Sequence, residues 1–266
     1  MMRIALILAL ATASLAQDVP VANCFHTTVA PIIDGRGDDA VWESAVRVDL
    51  VDVAKLDPTP HSQPTQARLL WGAEALYVLF EATDPDVWSS LSDRDDPLYN
   101  EEVVELFIDP DGDGLNYVEI EINSVGTIFD LLVTKSLRQG GKGMPVWDPA
   151  LETGVSTQGT INDPSDTDSG WSAEIALPWS ALQTSILDVP GSMALPPNVG
   201  DRWRLNLYRY ERLRTAGVAT GTIEYSAWSP VGRIDFHAPD RFGIVVFADE
   251  RTAVNPMSWG RVKISD

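Results

Sequence analysis

Short runs of apolar and aromatic residues, each bounded by turn-forming residues, follow one another along most of the chain. Runs of this length that are rich in Val, Ile, Leu and aromatic side chains are typical of β-strands. Only 39–45 and 178–182 predict a helical turn or two. The spacing therefore predicts an all-β protein, an antiparallel, jelly-roll-like β-sandwich with few short helices. The predicted strands are 67–71, 76–84, 103–109, 117–123, 127–133, 171–177, 203–210 and 242–247.

Two of the predicted strands alternate between apolar and polar positions. Because successive side chains of a strand point to opposite faces, one face of each strand belongs to the core. The core faces carry Val118, Ile120 and Ile122 in one strand, and Trp203, Leu205 and Leu207 in the other. The outer faces carry Tyr117, Glu119, Glu121 and Asn123, and Arg204, Asn206, Tyr208 and Tyr210. Planar hydrogen-bonding groups mixed with aromatic rings indicate a surface that binds sugar hydroxyls. The alternative interpretation is a polar sheet face that binds no ligand.

The chain divides into a short leader and one domain. A basic start, Met1-Met2-Arg3, precedes an apolar run at 4–10 and small residues that end at Ala16. This pattern predicts a cleaved signal peptide over 1–16 and a secreted or periplasmic protein. The segment 17–28 is interpreted as a lead-in, 29–248 as the sandwich and 249–266 as a tail. The segments 139–148 and 186–201 are interpreted as long loops inserted in the one domain.

The amino-acid composition limits the kinds of molecule that the protein is expected to bind. The 266 residues include 39 acidic and 19 basic side chains, a formal net charge of −20. Such a chain is repelled by nucleic acid and by anionic membranes, so neither is expected as a partner. No segment after the leader is long and apolar enough for membrane insertion. The single cysteine, Cys24, excludes an intramolecular disulfide and is interpreted as a small buried residue. The oligomeric state stays open.

Catalytic motifs are scarce. The sequence has neither a G-x-S-x-G elbow nor an H-E-x-x-H zinc motif. Glycoside hydrolysis by two carboxylates is the main enzymatic alternative, with Glu101, Glu102, Glu105 and Glu121 as candidates. In so acidic a chain some carboxylates lie close together by chance, so the protein is not expected to be an enzyme.

One turn resembles half of a calcium loop. Asp109, Asp111, Asp113 and Gly114 match the first half of an EF-hand loop, whereas the twelfth position holds Ile120 instead of a bidentate Glu. A hairpin turn without metal explains the same residues equally well. No cofactor is required, and a structural Ca²⁺ among these acidic loops is the one metal predicted.

A series of short motifs occurs in order over about residues 29–247. They are Pro31-Ile32-Ile33-Asp34-Gly35, Asp38-Asp39-Ala40-Val41-Trp42, Leu76-Tyr77-Val78, Val104-Glu105-Leu106-Phe107-Ile108-Asp109, the segment 171–177, Ala227-Trp228-Ser229-Pro230, and Phe236-His237-Ala238-Pro239-Asp240-Arg241-Phe242-Gly243. In this order and spacing they resemble family 9 carbohydrate-binding modules and their relatives. The resemblance implies a β-sandwich in which two aromatic rings clamp a terminal sugar and calcium ions support loops.

The resemblance also implies a site, carried over position by position. The clamp falls on Tyr99 and Phe236, where the family typically has two Trp. The polar partners fall on Glu105, Glu121, Asn123, Asn206 and Arg233, with Trp88 and His237 as secondary contacts. The family pattern has Arg where this chain has Glu121.

The sequence therefore predicts a non-catalytic carbohydrate-binding protein that holds a sugar or the end of a polysaccharide chain. An interaction module that keeps the fold and has lost the sugar is the first alternative. A glycoside hydrolase with paired carboxylates is the second.

Overall fold

The computed structural model describes residues 19–183 and 193–249, so the predicted signal peptide and nearly all of the predicted tail lie outside the described residues. The one α-helix in this part, α1, spans Trp179–Leu182. Short 3₁₀ turns occupy Ala40–Ser44, Leu98–Asn100, Leu137–Gln139 and Pro239–Arg241. The strands are β1 (Val21–His26), β2 (Val46–Asp52), β3 (Thr65–Trp71), β4 (Ala75–Thr83), β5 (Val103–Asp109), β6 (Leu115–Ile122), β7 (Ile128–Lys135), β8 (Gly143–Met144), β9 (Glu152–Gln158), β10 (Gly170–Pro178), β11 (Arg202–Thr215), β12 (Val218–Ala227) and β13 (Gly243–Ala248).

All eight predicted strands are present, with ends shifted by a few residues. Five further strands, β1, β2, β8, β9 and β12, were not predicted. The strands β9 and β12 lie on partly solvated surfaces and contain Gly154 and Gly221, so neither forms an apolar run. The two-residue strand β8 lies inside the segment predicted as a long loop. Of the other predicted loop, 186–201, the part 186–192 falls outside the described residues.

The strands follow one hydrogen-bonded path, in the order β8-β7-β6-β5-β11-β12-β2-β3-β4-β10-β9. Neighbours along this path pair antiparallel, as predicted. The strand β1 is different because it pairs in parallel with both β13 and β3. Through β1 the segment that the sequence analysis treated as a lead-in extends the sheet. Within the described residues, no helix has the length and apolar character needed to cross a membrane.

The two halves of this path pack their inner faces together and form the main core. Leu106 and Ile120 of one half belong to the same buried cluster as Val78, Phe80 and Ile175 of the other half. The predicted core faces are confirmed, because the six apolar residues assigned to them from the alternation are all buried in this cluster. The prediction of a β-sandwich is confirmed with them.

The outer faces are not solvated, and this corrects the sequence analysis. On β5, β6 and β11, the side chains of Phe107, Tyr117 and Tyr208 are buried beneath Phe236 and Phe242. Those two residues belong to the connection between β12 and β13. The aromatic rings at alternate positions provide an apolar surface for this connection to cover. The polar side chains between the rings are consequently buried as well.

A buried guanidinium joins the two halves of the sandwich. Arg209 on β11 is fully buried and donates to the Thr65 hydroxyl at 3.0 Å and the Thr83 carbonyl at 2.8 Å. It also forms ion pairs with Asp84, at 3.4 Å, and with Glu211. Thr65 and Thr83 belong to β3 and β4 in the opposite half, and the ion-pair partners Asp84 and Glu211 are almost completely buried. This contact therefore holds β11 against β3 and β4.

Replacing Arg209 is expected to destabilise the protein strongly. Arg209→Met keeps the length of the side chain and leaves Asp84 and Glu211 buried without their cation, which typically costs about 3–5 kcal/mol of unfolding free energy. Denaturant unfolding measures the change. Arg202→Met, an exposed arginine at the start of the same strand, is the control. Equal stability of the two variants would contradict the role assigned to Arg209.

Candidate functional site

A cavity of about 720 Å³ lies on the outer face of β5, β6 and β11. Its floor is the sheet, from which Glu105, Glu119 and Glu121 point into it. Its walls are mostly hydrocarbon and aromatic, and they come partly from β7 and β11 and partly from the connections between strands. The walls include the side chains of Tyr99, Phe129, Tyr210, Ile234, Phe236 and His237.

The three glutamates, here called the glutamate triad (Glu105, Glu119 and Glu121), are brought together by strand register. Glu105 on β5 lies directly opposite Glu121 on β6, and Glu119 is two residues before Glu121 on the same face. Carboxylate oxygens of the three side chains lie within 4.8 Å of one another. Like charges in directly opposed positions of a sheet repel each other, so this register places acidic groups together against their electrostatic preference.

Each member of the triad is almost completely buried, between 1% and 4% exposed. Both carboxylate oxygens of Glu121 and Oε2 of Glu119 accept no hydrogen bond. Burial, followed by repulsion from the other members, raises the pKa values of Glu105 and Glu121 well above the ordinary range. Burial raises the pKa of Glu119 to about 7. The floor of the cavity therefore holds protons at neutral pH when it is without a cation.

His237 lies beside the triad but does not neutralise it. Its Nδ1 is 3.1 Å from the Tyr117 hydroxyl, and its Nε2 is 4.0 Å from Oε2 of Glu119. Burial lowers the pKa of His237 to about 4, so the ring is neutral at physiological pH. The imidazole is accordingly a hydrogen-bonding group at the cavity wall.

The two predicted clamp rings line the same cavity in different ways. Tyr99 is 45% exposed, and its ring meets the half-buried ring of Phe129 edge to face, with centroids 5.7 Å apart. Phe236 is only 5% exposed and stacks on Tyr208, with centroids 4.2 Å apart and an interplanar angle of 10°. One face of Phe236 is thus already occupied. Tyr99 is the ring that offers an open face.

Two predicted polar partners shape turns instead of lining the cavity. Asn123 donates to the Leu91 carbonyl at 2.8 Å and accepts from the Thr127 amide at 2.9 Å. Asn206 donates to the Ser229 carbonyl at 2.9 Å and accepts from its amide at 2.9 Å. Both amides use their hydrogen-bonding capacity within the fold, so neither is free to bind a ligand there.

Arg233 and Trp88 also lie away from the cavity lining. Arg233 forms an ion pair with Asp235 at 2.9 Å. Trp88 packs under the guanidinium of Arg214, 5.0 Å from the ring centroid, and so anchors its loop.

The lining residues that were missing from the predicted site include Glu119, Tyr210 and Phe129. Glu119 had been placed on the correct strand face, and only the cross-strand register with Glu105 reveals that it joins the other two glutamates. Tyr210 was likewise on the predicted face of its strand. Phe129 belongs to the strand predicted at 127–133, but no alternation there indicated which face it would occupy.

The turn at Asp109 is largely held by its own backbone. The buried carboxylate of Asp109 accepts hydrogen bonds from the amides of Gly112 and Gly114, both at 3.0 Å. Burial raises the pKa of Asp109 to about 7 despite these bonds, with Asp111 and Asp113 adding repulsion. Oxygens of the three carboxylates lie within 4.8 Å of one another, a donor set that suits a hard cation. Calcium at this turn stays a prediction.

Comparison with known families identifies the fold. The family model described as carbohydrate family 9 binding domain-like matches residues 33–250, most of the chain. The chain belongs to this family. A search of curated proteins finds no match.

Solved structures agree with this family 9 assignment at the level of the fold. A Bacteroides uniformis protein whose proposed role is carbohydrate binding is 19% identical, with a TM-score of 0.60 over 86% of this chain and 100% of its own. A family 9 module from Caldicellulosiruptor kristjanssonii, solved with cellotriose, is 15% identical, with a TM-score of 0.54 over 89% of this chain and 100% of its own. A family 9 module from the same organism, solved with glucose, is 15% identical, with a TM-score of 0.55 over 88% of this chain and 100% of its own.

Removing one charge from the triad of this family 9 domain is expected to stabilise it. Because the pKa values of the triad are raised in the folded state, the unfolded chain loses protons first as the pH rises. The free energy of unfolding therefore decreases as the pH rises from the ordinary pKa range of Glu to neutrality. Glu121→Gln removes part of that loss, and its melting temperature is expected to exceed that of the wild type by roughly 3 °C or more at pH 7.

The same comparison at pH 4 is expected to show little difference, because all three carboxyl groups are then protonated in both states. Glu152→Gln, an exposed position on β9, is the matched control at both pH values. A Glu121→Gln variant that melts below the wild type at pH 7 would contradict the account of an uncompensated triad.

Calcium binding at the Asp109 turn is tested by thermal unfolding. The wild type is expected to melt at a higher temperature in excess CaCl₂ than in EGTA, since a bound ion stabilises only the folded state. Asp111→Asn, which loses one exposed ligand, is expected to show a smaller difference. Identical melting of the wild type under both conditions would reject the site.

Proposed function

We propose that the cavity binds a carbohydrate, either a free sugar or the end of a polysaccharide chain. Membership of family 9 supports the class of ligand. The observation that carries the assignment is the pairing of an open aromatic ring, Tyr99, with a hydrogen-bonding floor, the glutamate triad, in one cavity. A sugar ring has an apolar face that stacks on aromatics and hydroxyls that need hydrogen-bonding partners.

The shape of the cavity favours a chain end. The sheet closes the cavity beneath the triad, so a ligand enters from the opposite side and its leading ring meets the carboxyl groups. At about 720 Å³ the cavity falls in the usual range for small-molecule sites. The rest of a longer chain extends outward past the exposed ring of Tyr99.

The aromatic contribution differs from the clamp implied by the resemblance. Because Tyr208 already covers one face of Phe236, we assign the stacking contact to Tyr99, supported from the side by Phe129. Phe236 backs the cavity and holds Tyr208 in place. A single open ring implies a smaller stacking contribution than two opposed Trp rings.

The polar contribution comes from the triad and His237. Protonated carboxyl groups donate as well as accept, and a neutral imidazole does the same. Buried groups that lack partners in the protein bind strongly to a ligand that supplies them, because the desolvation penalty has already been met on folding. Glu105 and Glu121 are common to this set and to the set implied by the resemblance.

The arrangement supports binding without hydrolysis. Glycosidases place two carboxyl groups on either side of the scissile bond. Glu101 and Glu102 hold the neighbouring loop through backbone amides of 88–91, and neither lines the cavity. Glu105 and Glu121 lie side by side on one sheet face, so they approach a bound sugar from the same side.

Tyr99→Ala is expected to weaken sugar binding by about fivefold or more, since loss of ring stacking is worth roughly 1 kcal/mol or more. Isothermal titration with cellotriose, glucose and their amino-sugar counterparts measures the affinities. Tyr99→Phe, which keeps the ring, is expected to bind like the wild type. Leu115→Ala, a similarly exposed apolar side chain outside the cavity lining, is the control.

If the folded wild-type protein bound no member of a broad glycan panel, the carbohydrate assignment would be wrong and the interaction module would replace it. If binding were unaffected by Tyr99→Ala and by substitutions in the triad, the sugar would bind elsewhere on the protein.

A further inference from the structure

The glutamate triad has no cationic partner within the described chain. No Lys or Arg of the described residues forms an ion pair with Glu105, Glu119 or Glu121, and the neighbouring His237 is neutral. Glu121 is 1% exposed, and neither of its carboxylate oxygens accepts a hydrogen bond. Three acidic groups therefore face an open cavity, and no cationic side chain of the described residues balances them.

A second acidic cluster in the same protein is treated differently. Asp84, Glu102 and Glu211 are as deeply buried as the triad, and their oxygens also lie within 4.8 Å of one another. Two guanidinium groups pair with the three carboxyl groups of this cluster. Arg209 pairs with Asp84 and Glu211, and Arg214 donates to Glu102 at 2.9 Å.

The other acidic residues that line the cavity lie beside arginines. Asp235 pairs with Arg138 at 2.6 Å and with Arg233 at 2.9 Å. Asp95 lies 4.0 Å from Arg94. Among the described acidic residues of the lining, those of the triad have no guanidinium beside them.

The triad is compact enough to share one ammonium group. An ammonium donates three hydrogen bonds of about 2.9 Å in tetrahedral directions. The carboxylate oxygens of the triad lie no more than 4.8 Å apart. A single cationic nitrogen above the floor can therefore contact all three side chains.

The walls suit an organic cation better than a metal ion. Tyr99, Phe129, Tyr210 and Phe236 line the cavity, and aromatic faces attract alkylammonium groups through their quadrupoles. Calcium requires six to eight oxygen ligands, whereas these walls are predominantly hydrocarbon. The combination of an acidic floor with aromatic walls is characteristic of ammonium recognition.

We propose that the ligand of this cavity is an amino sugar whose ammonium group is held by Glu105, Glu119 and Glu121. This inference rests on the proposed carbohydrate function and names the class of sugar. A deacetylated glucosamine end, as in chitosan fragments, has the required chemistry, because its amino group is attached directly to the ring that stacks on Tyr99.

The decisive experiment compares three trisaccharides by isothermal titration in a neutral buffer, because acidic conditions would protonate the triad. Chitotriose and cellotriose share the β-1,4-linked backbone and differ only in the 2-amino groups, and tri-N-acetylchitotriose keeps the nitrogen without its charge. Chitotriose is expected to bind at least tenfold more tightly than either of the others. The preference is expected to weaken at high ionic strength only slightly, because the contact is buried.

Glu121→Gln is the test variant, with Glu152→Gln as the matched control. The first is expected to lose most of the preference for chitotriose over cellotriose while it retains a raised melting temperature, which shows that it is folded. The second is expected to keep the full preference. A melting curve that reveals an unfolded Glu121→Gln protein would direct the same test to Glu119→Gln.

The outcomes separate the two claims. Equal binding of cellotriose and chitotriose, both abolished by Tyr99→Ala, would overturn the amino-sugar inference and leave the carbohydrate function intact. Failure of all three sugars, with binding of tetramethylammonium that depends on Glu121, would reject the carbohydrate function and keep cation recognition. Calcium binding that is lost in Glu121→Gln, without any preference for chitotriose, would replace the ammonium with a metal ion.

Discussion

A buried carboxylate needs a cation, hydrogen-bond donors, a proton or a ligand, and this constraint organises the structure. Both faces of the sandwich halves are covered, so acidic side chains on the outer face lose contact with water. On one side of β11, Arg209 and Arg214 form ion pairs with the buried carboxyl groups, and Arg209 also holds the two halves together. On the other side the protein leaves Glu105, Glu119 and Glu121 unpaired, and the space above them is the cavity.

The strand register brings glutamates that are distant in the sequence together in the structure. Glu119 and Glu121 share a face because they are two residues apart, and Glu105 joins them because β5 pairs with β6 in one particular alignment. The aromatic residues interleaved with them draw the connection between β12 and β13 over the sheet. Burial of the glutamates is therefore a consequence of the packing of Phe107, Tyr117 and Tyr208 against Phe236 and Phe242.

Much of this was accessible from the sequence, and the remainder depended on distant contacts. Alternation of apolar and polar residues identified the core faces and the strand faces that carry Glu119 and Glu121. It did not reveal that the polar face is covered, because the cover comes from the connection before β13, which is distant in sequence from β5 and β6. Asn123 and Asn206 were assigned to the ligand by resemblance, yet both complete turns, and hydrogen bonds to specific backbone groups leave no periodic signal. Phe236 lines the cavity, and its stacking on Tyr208 follows only from the fold.

The most direct measurement is a crystal structure of the protein grown with chitotriose. The account predicts the terminal sugar in the cavity against Tyr99, with its amino nitrogen within hydrogen-bonding distance of the three glutamates. A sugar bound on another surface, or a metal ion seated among the glutamates with no sugar above it, would contradict the account.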